Sequence, residues 1–142
     1  MISQDRGALR AFYSRSWSRY KASQPLEPLE LMVAEVVADH PEYHAVVEDE
    51  TQHAEDFSVE RGESNPFLHL GMHVALREQA GADRPAGFSV AYGQLCAASG
   101  ERHGAEHKMM DCLGEAMWAS QRTGRAPDQF AFLECVRTLV PF

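Results

Sequence analysis

The sequence predicts an all-α fold, a compact helical bundle of about five to six helices forming a single domain over residues 1–142. Three observations point there. Apolar residues recur three and four positions apart along most of the chain, no segment alternates as a strand does, and the breaks fall at proline or glycine signals. Composition agrees, with 44 % hydrophobic and 24 % charged residues, the balance of a globular protein with a core of its own.

The first helix is expected over residues 4–21, where Leu9, Phe12, Tyr13, Trp17 and Tyr20 alternate with Arg6, Arg10, Arg15, Arg19 and Lys21. Pro25 closes it. A second helix starts near Pro28, since proline suits the first helical turn, and carries Leu29, Met32, Val33, Val36 and Val37 at helical spacing. His40-Pro41 interrupts it, because the residue before a proline is driven from the helical region, and a short helix resumes over 42–49. Residues 50–64 turn polar without a period and form the longest expected loop, suspect as a lid or partner surface. Asn65-Pro66 then caps and opens a helix over 67–79. Further helices follow over 87–97, 102–122 and 128–139, separated by Ser99-Gly100 and by Thr123-Gly124 with Pro127.

The chemistry is concentrated in the histidines. Six of the seven form pairs four residues apart: His40/His44, His69/His73 and His103/His107. A random arrangement would give about 0.3 such pairs. Residues four apart on a helix project from one face, so two imidazoles can reach one ion. On the helix over 102–122, about 100° per residue puts His103, Glu106 and His107 in one sector with Met110, Leu113, Gly114, Met117 and Trp118. Lys108, Cys112, Glu115 and Arg122 fall opposite. A carboxylate on a buried face needs a cation or a charged hydrogen-bond partner. The helix bearing His69 and His73 is apolar nearly all round, which makes it central, and His44 and Glu48 share a face of the short helix.

The expected ligand set is therefore His40, His44, Glu48, His69, His73, His103, Glu106 and His107. Imidazoles with one or two carboxylates suit a transition metal, iron or zinc above all, and disfavour calcium and magnesium. Two ions about 3.5–4 Å apart would use so many ligands, with Glu106 or Glu48 as the bridge. A single tetrahedral zinc is the other version.

The strings His40-Pro41-Glu42-Tyr43-His44, Asn65-Pro66-Phe67-Leu68-His69-Leu70-Gly71-Met72-His73, Arg77-Glu78-Gln79, Asp83-Arg84-Pro85, Glu106-His107 with Met109-Met110, and Cys112-Leu113-Gly114-Glu115 with Gln121-Arg122 resemble the bacterial family of unknown function numbered 1841. The likeness covers nearly the whole chain and implies no established activity. A looser likeness to hemerythrin-type bundles rests on His44 with Glu48 and His69 with His73. His107 with Asp111 is one residue tighter than that pattern, and the likeness is one of architecture only.

The expected function is a metal-binding helical bundle, non-haem iron or zinc. The alternative is a helical interaction or regulatory domain with a structural metal or none. Whether it is an enzyme, and on what substrate, stays open: no Gly-x-Ser-x-Gly elbow and no phosphate-cradling glycine loop occurs. Thirteen basic against twenty-one acidic residues give a net charge of −8, wrong for a nucleic-acid partner. No apolar run nears the ~20 residues of a membrane span, so no membrane partner and a cytoplasmic location are expected, with a homodimer left open. Cys96, Cys112 and Cys135, odd in number and widely spaced, are expected as reduced core residues.

Overall fold

Each helix starts where a local signal stops the chain from continuing otherwise. In the computed structural model, which describes residues 2–49 and 65–141, every regular element is helical. The order is α1 (Ile2–Lys21), α2 (Pro28–Ala38), a 3-10 turn (Pro41–Tyr43), α3 (His44–Glu48), α4 (Pro66–Ala82), α5 (Phe88–Ser99), α6 (Arg102–Thr123) and α7 (Gln129–Leu139). Among the described residues there are thus seven α-helices rather than five to six. The five-residue α3 stands as a helix of its own. Gly100, with φ of +86°, makes a full break between α5 and α6. The expected loop over 50–64 lies outside the described residues. No described helix is long and apolar enough to cross a membrane.

The contacts divide the chain into two compact units, Met1–Val74 and Ala75–Phe142, with the boundary inside α4. In the first unit, α1 buries Tyr13, Ser16 and Trp17, three and four residues apart as one helical face requires. They pack with Val33, Val36 and Val37 of α2, Val47 of α3, and Phe67, Leu70 and Val74 of α4. Pro28 opens α2, and the Glu30 carboxylate reaches back to accept the Glu27 backbone N–H at 2.8 Å, satisfying a donor the helix start leaves without an intrahelical partner. Glu30 also accepts from Arg19 at 2.7 Å and so ties α2 to α1.

In the second unit the core gathers Leu76, Phe88, Leu95, Met109, Phe132 and Val136 from α4 to α7. Asp83 starts α5 by accepting the backbone N–H groups of Gly87 at 3.1 Å and Ser89 at 3.0 Å. Gly87 itself has φ of +97°, a left-handed conformation that favours glycine. Asp128 caps α7 by accepting from the Ala131 N–H at 3.0 Å.

Two expectations fail in this unit, and for one reason. Cys112 and Cys135 are joined in a disulfide, with Cα atoms 5.7 Å apart, and only Cys96 is free among the described residues. Their 23-residue separation conceals that α6 and α7 pack together across the turn at Gly124. That packing also rotates the buried face of α6. Ala105, Glu106, Met109 and Cys112 are inside, whereas His107, Met117 and Trp118 are exposed. The inner face thus lies about one residue position from the apolar stripe of the isolated helix, with Cys112 inside rather than on the solvent side.

Closing a loop of this length by a disulfide is worth about 3 kcal/mol, chiefly through the unfolded chain. Cys135→Ala, or the wild type with its thiols shown to be reduced, should unfold at a correspondingly lower denaturant concentration. An unchanged midpoint after demonstrated reduction would contradict the clamp.

Candidate metal centre

His40 is turned inward by the proline after it. With φ of −126° and ψ of 68° it leaves the helical region, and its ring is buried. Its Nδ1 lies 2.7 Å from the Val36 carbonyl oxygen. A carbonyl only accepts, so Nδ1 carries the proton and Nε2 keeps a lone pair. That Nε2 lies 3.1 Å from Nε2 of His73, itself buried on α4. Two imidazole nitrogens bound side by side on one ion, at about 2.0–2.1 Å each, would be about 3.0–3.4 Å apart. With His40 Nε2 as the acceptor, His73 Nε2–H is the donor of this bond.

The other members follow from helical spacing. His69, one turn before His73, packs edge-on against His40 and His73 with ring centroids 5.1 and 5.0 Å away. On α6, His103 and His107 have ring centroids 4.3 Å apart. His103 is half-buried and His107 exposed.

Three expected ligands are engaged elsewhere. His44 gives its Nε2–H to the Val37 carbonyl at 2.8 Å and lays its ring on Trp17, centroids 4.5 Å apart. Glu48 accepts from Trp17 Nε1 at 2.9 Å and Lys21 Nζ at 2.6 Å. The hydrogen bond from Lys21, then that from Trp17, holds the Glu48 carboxyl below its ordinary value. Its contribution to stability is therefore present above the usual carboxylate range and lost as pH falls through the lowered value. It is small, since the pair is solvated.

Glu106 has no exposure, as a buried-face reading of α6 requires, and its partner is a cation from the protein itself. Arg77 donates Nε to one carboxylate oxygen at 2.9 Å and Nη2 to the other at 3.2 Å. Tyr92 of α5 donates its hydroxyl to the same carboxylate. Burial, foremost, and the Glu106 hydrogen bond push the Tyr92 phenol far above its ordinary value, so it remains a donor. Burial and the Glu106 charge also push the Cys96 thiol up, which keeps it from acting as a thiolate nucleophile at neutral pH.

Sequence patterns named Glu106 but not its partners. Arg77 was legible only as part of Arg77-Glu78-Gln79, and Tyr92 carried no signal, since an aromatic residue at helical spacing reads as core. The only available hint was that Arg77 follows His73 by one turn on an otherwise apolar helix.

An all-helical protein in which two buried histidines, His40 after α2 and His73 on α4, meet side by side is the class these features define. The family model "Domain of unknown function (DUF1841)" matches residues 5–138, nearly the whole chain, and the protein belongs to that family. It matches no curated protein and no solved structure.

Removing one partner from a buried ion pair leaves the other charge uncompensated, at about 3–5 kcal/mol. Glu106→Ala should lose that much in urea unfolding, and the double change Arg77→Met with Glu106→Leu should recover most of it. A Glu106→Ala loss below about 1 kcal/mol would show that the pair does not hold α4 to α6.

Proposed function

We propose that the protein binds one transition-metal ion, zinc or iron, through His40 and His73. The single observation that carries this reading is the approach of these two buried imidazoles, whose Nε2 atoms lie 3.1 Å apart, the spacing of two nitrogens bound side by side on one ion. Neutral nitrogen donors suit zinc, iron, copper or nickel rather than calcium or magnesium.

One ion is favoured over two. A di-metal centre needs a bridging carboxylate, and both sequence candidates have other work: Glu106 accepts from Arg77 and Tyr92, and Glu48 from Lys21 and Trp17. His69 stands beside the group as a ring neighbour and is the natural replacement ligand. A centre bound by His40 and His73 adds metal-binding free energy to native-state stability. The geometry supports binding and assigns no reaction.

Purified protein loaded with zinc or ferrous iron under anaerobic conditions should hold about one equivalent after gel filtration. His40→Ala and His73→Ala should each lose it, whereas His44→Ala should keep it, because the His44 ring lies on Trp17 and is not part of the His40–His73 pair. Chelator should lower the wild-type unfolding midpoint. Imidazoles bind only when neutral, so the metal-linked part of stability should be full near pH 8 and fade as pH falls through about 6. A wild-type protein with less than ~0.2 equivalents of metal and a midpoint unmoved by chelator would end this reading.

A further inference from the structure

Charge is unevenly placed along the chain. The protein carries a net −8, yet the α1 segment holds Arg6, Arg10, Arg15, Arg19 and Lys21 against one acid, Asp5. The last three of these cations line a cleft of about 510 Å³ in the first unit, with Ser14, Ser18 and Gln24 beside them and Trp17 in the wall. Glu48 is the one acid of that lining, and Lys21 Nζ at 2.6 Å and Trp17 Nε1 at 2.9 Å already engage it. Arg19 gives Nη1 to Glu30 at 2.7 Å, which anchors the side chain and leaves the rest of its fork for another acceptor. Arg15 has no carboxylate partner among the described residues and only stands 5.8 Å from the Phe12 ring centroid. The Ser14 and Ser18 hydroxyls and the Gln24 side-chain amide likewise make no hydrogen bond to the described residues.

We propose that this cleft binds a small molecule carrying a diphosphate group, at a site that does not rest on the metal-binding reading. Arg15 and Arg19 are one turn apart on one helix face, so their forks are rooted about 5–6 Å from each other. That spacing suits two linked anionic groups better than one. Guanidinium forks match phosphate oxygens in pairs of parallel hydrogen bonds. Ser14 and Ser18, also one turn apart, add hydroxyl donors on the same side, and Lys21 adds a point charge. The volume falls within the about 300–1,000 Å³ of small-molecule sites, larger than a lone inorganic ion requires. A basic face that is merely solvated would carry the same charges but would not saturate with one ligand.

Calorimetric titration with pyrophosphate at low ionic strength separates the two. The full chain is first dialysed against chelator, so that an ion at His40 and His73 cannot serve as the pyrophosphate receptor, and its fold is checked by circular dichroism. Pyrophosphate should fill one saturable site, and inorganic phosphate should bind about 10-fold more weakly because it leaves one fork unused. Arg15→Gln, which breaks no ion pair among the described residues, should weaken pyrophosphate binding about 10-fold. Arg125→Gln removes a charge outside the cleft and should leave binding unchanged. The proposal is overturned by any of four results: no saturable binding up to about 10 mM pyrophosphate, equal affinity for phosphate, wild-type affinity in folded Arg15→Gln, or the same loss in Arg125→Gln. None of these bears on whether His40 and His73 hold a metal ion.

Discussion

Glu106 is a carboxylate without access to water, and desolvation makes that placement expensive unless every strong acceptor site is answered. The answer comes from two helices at once, Arg77 on α4 and Tyr92 on α5. Apolar contacts tolerate sliding and rotation, because dispersion has no direction. A forked guanidinium meeting a carboxylate does not. The registration of α4 against α6 depends on this contact, while Leu76, Met109 and Phe88 supply the bulk of the burial around it.

The histidines divide by the same logic of satisfied donors. Each imidazole has one nitrogen to give and one to keep when neutral. His40 spends Nδ1–H on a backbone carbonyl and keeps Nε2 for the group, whereas His44 spends Nε2–H on the next carbonyl along, Val37 rather than Val36. Two residues of identical chemistry, four apart in sequence, thus take opposite roles. The cause is Pro41, which breaks α2 at His40 and folds the ring back over the last turn of that helix.

Much of this was legible beforehand. Asn65-Pro66 marked the start of α4, Pro28 the start of α2, and Ser99-Gly100 the break before α6, because capping and proline geometry act within a few residues. The pairs His40/His44 and His69/His73 marked the region where His40 and His73 meet. Other features depended on contacts distant in the chain. The Cys112–Cys135 bond and the true inner face of α6 both follow from how α7 docks, which no helical count can register. Tyr92 had no sequence signal, since its distinction is a single hydroxyl aimed at a carboxylate on another helix. His44 and Glu48 had the right spacing and chemistry, but local partners, the Val37 carbonyl, Trp17 and Lys21, engage them first.

The central proposal is a single ion held by the imidazoles of His40 and His73. It is tested most directly by anomalous scattering at the zinc edge from crystals of the zinc-loaded protein. The account predicts one peak bonded to Nε2 of His40 and Nε2 of His73 at about 2.0–2.1 Å, with Glu106 still paired with Arg77. Two peaks bridged by Glu106, or zinc found only at other surface residues, would contradict it.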